Sequence, residues 1–205
     1  MAQFEPAQGG LRWVKSLTSG SSNPPVEERV VASAYGTGLF RGDPLRMATD
    51  GTLVAAAATE SISHVMVAAV RYYGSDGVIR SGQFLPASTT YTGTYSRANP
   101  LASVILVIPV TNQLFEVDVT TANATQTAGT ALIGQCVDVV ATAGSTTTGV
   151  SGYTTDTVAN FAATTVSAQL KLIQIPEYGM SGMINDVTKT YWKRIFEVYE
   201  IHAAI

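Results

Sequence analysis

The residues most able to do chemistry lie between Gly36 and Asp43, in the run Gly-Thr-Gly-Leu-Phe-Arg-Gly-Asp. Closely spaced glycines can turn main-chain N–H groups toward a phosphate, and Arg41-Gly42-Asp43 is a tripeptide that serves as an adhesion ligand when a loop exposes it. Phosphate binding also needs a following Lys with Ser or Thr, and a helix whose N-terminus receives the anion. Neither follows here, because Asp43-Pro44 leads into strand-forming residues. Adhesion needs only exposure, but the first residues lack the basic start and apolar block of a secretion signal, and one cysteine allows no disulfide within the chain. The expectation is therefore scaffold: a turn at Gly42-Asp43, a strand over 44–48, a tight reversal of primed type at Asp50-Gly51, and a return strand over 52–58.

The other chemical candidates are weaker. Gly-Met-Ser-Gly-Met at 179–183 brings its second glycine one position too early for a nucleophile elbow, and no α/β alternation surrounds it. Cys136 lies in an alternating run where a small buried hydrophobe is the default. His64 and His202 lie in strand-like runs that suit hydrogen-bonded or interface histidines. Acidic residues occur singly, so no pair offers acid and base. Two histidines and one cysteine cannot build a standard structural zinc site. No catalytic residue, cofactor site or metal site is assigned, and the expectation is a protein that is not an enzyme.

The elements that would position any site are strands. From residue 29 onward, short β-branched runs alternate with Gly, Asp, Asn, Ser and Thr, and no segment keeps helical apolar spacing for three turns. Strands are expected over 29–34, 44–48, 52–58, 64–73, 82–85, 101–111, 114–120, 133–140, 167–175 and 192–202. In 167–174, Ala168, Leu170, Leu172 and Gln174 share one face, while Ser167, Gln169, Lys171 and Ile173 share the other. Residues 1–28, with three glycines and three prolines and a single apolar patch at 11–14, read as an extended arm preceding a β-rich domain over 29–205. The Thr-, Ala- and Gly-rich stretch 142–165 is too long for an ordinary hairpin loop, and ordering by a neighbouring chain is expected.

Composition narrows the partners. Charged residues make up 13% of the chain against roughly 25% in ordinary soluble domains, so the surface is built of Ser, Thr, Gly and Ala and suits broad protein contacts. A net charge of -3 without any Lys or Arg run excludes the electrostatic footprint of nucleic-acid binding. The longest apolar run, at 101–110, is half the ~20 residues of a membrane helix.

Three stretches belong together: Gly42-Asp43-Pro44 with the apolar strand after it, Phe115-Glu116-Val117 leading through Ile133-Gly134 to the Gly-rich loop at 144–151, and the alternating strand at 170–175. In this combination the chain resembles capsid decoration, or cement, proteins of tailed bacteriophages. The final stretch, 192–202, matches in character. The resemblance spans roughly residues 30 to 202. It implies an all-β fold, a barrel or sandwich of antiparallel strands, in a noncatalytic virion protein that is made in the host cytoplasm and binds the outer surface of the capsid. The implied partners are the major capsid protein and further copies of itself, as a trimer, with no nucleic acid and no membrane. The residues expected to touch the capsid or a neighbouring subunit are Phe4, Leu11, Trp13 and Val14 in the arm, with Phe161 and the tyrosines Tyr153 and Tyr178, since aromatic side chains supply contact area at small entropy cost. The second expectation is a head fibre or lectin-like module that reads host glycans through exposed tyrosines.

Overall fold

The computed structural model describes residues 9–18, 23–31, 35–74, 78–87, 103–123, 131–157, 160–161, 168–174 and 191–198; over 119–123 and 191–198 it describes the main chain alone. Among these residues the strands are β1 (Arg12–Ser16), β2 (Glu27–Val31), β3 (Pro44–Met47), β4 (Leu53–Ala55), β5 (His64–Tyr73), β6 (Ile79–Gly82), β7 (Ser103–Pro109), β8 (Gln113–Asn123), β9 (Cys136–Val137), β10 (Val139–Val140), β11 (Thr154–Thr155), β12 (Leu170–Gln174) and β13 (Tyr191–Val198). The fold is all-β. No helix among the described residues is long and apolar enough to cross a membrane.

The strands form two open sheets. One has seven strands in the order β10-β11-β8-β13-β12-β9, with β1 also paired to β8. The other has six, in the order β2-β7-β5-β3-β4, with β6 also paired to β5. Most pairings are antiparallel; β11 meets β8 in parallel. The chain passes from one sheet to the other between β7 and β8 through a turn at Thr111-Asn112, where Asn112 takes a φ of 57° and the Gln113 N–H donates to the Val110 carbonyl. Asparagine tolerates that left-handed conformation better than most side chains.

Alternation along the strands explains the layering. Phe115 and Val117 of β8, Leu170 and Leu172 of β12, and Val65 of β5 meet Ile108 of β7 in the core between the sheets. Both sheets contribute, so the arrangement is a sandwich. The neighbours of opposite parity on the six-stranded sheet, Met66, Ile105 and Val107, are also buried, against Leu39, Leu45 and Leu85 on its far face. That sheet is therefore covered on both sides, which is why β5 and β7 read as continuous apolar runs.

Three expectations change. Within the expected extended arm, residues 9–18 are built into the sandwich: Leu11 is 3% exposed and β1 pairs with β8 from Arg12 opposite Glu116 to Ser16 opposite Gln113. A boundary at 28/29 also falls inside β2. The described part of the Thr- and Gly-rich loop, 142–157, is ordered by its own chain, since the Ser151 N–H donates to the Arg41 carbonyl and the Arg41 N–H to the Gly149 carbonyl. The β3–β4 reversal is a three-residue loop, Thr49-Asp50-Gly51, closed by the Ala48 N–H on the Thr52 carbonyl at 2.8 Å. Gly51 alone carries the positive φ, 81°, so the loop is the glycine-bulge type and not a primed two-residue turn.

Candidate functional site

The Arg41-Gly42-Asp43 turn is where separate segments converge. Gly42 has a φ of 94°, and a Cβ there would lie 3.2 Å from the Gly9 carbonyl oxygen and 3.3 Å from the Leu11 nitrogen. Only glycine lets the N-terminal segment approach this closely. The Leu11 N–H donates to the Gly42 carbonyl at 2.8 Å, the Gly42 N–H to the Met66 carbonyl at 2.8 Å, and the Met66 N–H to the Asp43 carbonyl at 3.0 Å. The Gly10 N–H donates to the Tyr153 carbonyl. One turn thus fastens the N-terminal strand, β5 and the 149–153 loop together.

Asp43 is 2% exposed. Its Oδ2 accepts the Phe40 N–H at 2.8 Å, and the Ser151 hydroxyl adds a second hydrogen bond. Its Oδ1 has no partner. Burial outweighs those two bonds and pushes its pKa up to about 6. A receptor cannot reach this carboxylate, so the adhesion reading of the tripeptide fails.

The turn separates two cavities. The larger, about 460 Å³, is lined by Phe40, Asp43, Phe84, Ala143, Gly144 and Tyr153, among others. Its wall is a parallel stack of Phe40 on Phe84, with ring centroids 5.3 Å apart. Gly144 closes on the same ring: a Cβ there would sit 2.3 Å from Phe40 Cγ. The smaller cavity, about 280 Å³, is lined by Leu11, Arg12, Trp13, Arg41, Met66 and Val67, among others.

Other polar groups that looked chemical are engaged in joining strands. His64 is 5% exposed and bonds Ser63 Oγ through Nδ1 at 2.9 Å and Glu27 Oε1 through Nε2 at 2.8 Å, reaching across β7 to β2. Burial lowers its pKa against the opposing pull of Glu27. The Ser63 hydroxyl itself donates to the Leu45 carbonyl, and Glu27 also accepts from Arg29. Cys136 is buried and its thiol is pushed up by desolvation, which leaves it unreactive. Among the described residues no group of three or more His, Cys, Asp or Glu could hold a metal ion.

The expected contact residues divide as follows. Leu11, Tyr153 and Phe161 belong to the core between the sheets, at 3%, 8% and 9% exposure, and a partner cannot reach most of their surface. Trp13 is half-buried against that core and donates its indole N–H to Gln113 Oε1 at 2.7 Å. Val14 is half-buried on β1. Phe4 and Tyr178, with His202 and the Gly-Met-Ser-Gly-Met stretch at 179–183, lie outside the described residues.

Sequence reasoning missed Gln169. It is fully buried, accepts the Val139 N–H at 3.0 Å, and donates to the carbonyls of Ala57, at 2.9 Å, and Glu60. Period-two alternation places it on the face opposite Leu170, so no periodic signal reveals it. No family model, curated protein or solved structure matches this chain.

Proposed function

We propose that this chain is a noncatalytic structural protein of a phage head, which binds the outer surface of the capsid lattice as a trimer and stabilises the shell. The observation that carries the reading is how buried polar groups are used. Tyr153 and Gln169 bond the main chain of residues 56–60 across about a hundred residues of sequence and so tie the two sheets to each other, while His64 with Glu27 and Arg12 with Glu116 lock strands within each sheet. Such cross-links resist shear between sheets, which suits a part under mechanical load. The resemblance to decoration proteins and the sparsely charged surface support the same reading, because short Ser, Thr and Ala side chains lose little entropy when a wide contact forms. A protein that binds the assembled lattice and not free subunits stabilises the lattice by mass action. Glycan recognition through Tyr153 loses ground, since the fold buries that side chain.

The test is titration of purified protein onto expanded capsids that lack it, followed by sedimentation and counting of bound copies. Saturation at a copy number fixed by the lattice is the expected result. Failure to co-sediment at any concentration overturns the proposal, and a monomeric mass in solution and on the shell overturns the trimer.

A further inference from the structure

We propose that the cavity under Arg41 is a carboxylate-recognition site, which receives an acidic side chain on an apolar stem from a segment of the lattice protein to which the chain binds. The choice of that partner rests on the capsid reading; the chemistry of the cavity does not.

The lining carries the argument. Leu11, Trp13, Val65, Met66, Val67 and Ile108 make the walls apolar, and Arg12 and Arg41 contribute the charge; among the described residues no Asp or Glu lines the cavity. Arg12 is committed to the buried Glu116. Arg41 is half-buried, yet it forms an ion pair with no carboxylate among the described residues. A guanidinium cannot relieve this by losing its proton, so the cavity holds a fixed positive charge in apolar surroundings. Its root is also held: the Arg41 N–H and carbonyl are both bonded to the 149–151 loop, so a ligand has only the side-chain torsions left to order.

Shape and charge then select the ligand. The planar fork of Arg41 matches a carboxylate in two parallel hydrogen bonds. Apolar walls favour a stem of methylenes or a ring and disfavour a strongly hydrated phosphate, and the two arginines repel an ammonium. At about 280 Å³ the cavity is near the lower limit for small ligands, which suits one inserted side chain. The chain's own charge of -3 is thus locally reversed at one concave point.

The experiment uses the full chain and two probes, 3-phenylpropionate and its neutral amide. The indole N–H resonance of Trp13, distinguished from that of Trp192 by Trp13→Phe, reports occupancy. The expected result is a saturable shift with the acid, none with the amide, and at least a tenfold loss of affinity in Arg41→Gln with an unchanged unfolding temperature; Arg41→Lys retains part of the binding. Equal response to acid and amide, no response to either, or full binding by Arg41→Gln overturns the site. In a second arm Arg41→Gln is titrated onto capsids, where at least a tenfold weaker association is expected. Unchanged association there removes the lattice as the source of the carboxylate, while failure of the unaltered protein to bind capsids overturns the structural reading and leaves the probe titration to decide the cavity's chemistry.

Discussion

The hydroxyl of Tyr153 donates to the main-chain carbonyl of Ala56 at 3.0 Å, across 97 residues of sequence. Ala56 is fully buried, so without that hydroxyl its carbonyl has neither protein nor water to replace it. Tyr153→Phe keeps the ring in the core and removes the bond alone. A loss of about 1–3 kcal/mol is expected from urea unfolding, and a loss under 0.3 kcal/mol would show that the bond is idle.

Asp43 gives the fold a dependence on acidity. Its folded pKa of about 6 lies above the ordinary 3.8, so the folded state prefers the protonated acid. That contribution is complete below the ordinary value and is lost as pH rises through about 6, at most about 3 kcal/mol for a shift of some two pH units. His64 works the other way, because its lowered pKa withdraws stability as pH falls below about 6.5. Unfolding free energies of the unaltered protein and of Asp43→Asn, measured from pH 4 to 8, separate the two. The difference between them should shift in favour of the unaltered protein on acidification through pH 6, and a difference independent of pH would contradict the burial argument.

Gln169→Met preserves volume but leaves the Val139 N–H and the carbonyls of Ala57 and Glu60 without their partner. A loss of about 1–3 kcal/mol is expected, since the orphaned Val139 N–H is fully buried, whereas Ala57 is exposed and its carbonyl also accepts the Glu60 N–H. Calorimetry that finds the variant as stable as the parent would show that those groups are satisfied elsewhere.

Two glycines make a controlled pair. Gly144→Ala drives a methyl to within 2.3 Å of Phe40, whereas an alanine at Gly36 meets nothing within 4 Å. The first should cost more than 2 kcal/mol through overpacking. The second should be neutral or stabilising by up to about 1 kcal/mol, through the less flexible unfolded chain. Thermal unfolding of both variants checks the contrast.

How much of this was legible depends on where each residue's partner lies. β5 emerges with the expected bounds, His64–Tyr73, because the β-branched and aromatic run, buried chiefly over its first half, is bounded by Ser63 and Gly74. The inward face of β12 is right as far as Ala168, Leu170 and Leu172, but Gln174 is exposed, since the register shifts after Leu172. β1 stayed hidden because Arg12, Lys15 and Ser16 give it no apolar alternation, and its strand partner is about a hundred residues away. β11 is two threonines. The burial of Asp43 was equally invisible, since a Gly-Asp-Pro turn looks the same in sequence whether it faces solvent or the interior. In each case the missing information is tertiary: what packs over a residue, which period and propensity do not encode.

The pairing of Arg12 with Glu116 spans 104 residues. During synthesis the first strand leaves the ribosome long before β8 exists, and at roughly 5–20 residues per second it waits several seconds for its complement. The apolar side chains Leu11 and Trp13 stay uncovered for that interval. Non-local pairings of this kind also slow folding after release. Residues 11–16 thus have no sheet to join during that interval, and a chaperone that shields them, or a lower growth temperature, should raise recovery without altering the finished molecule.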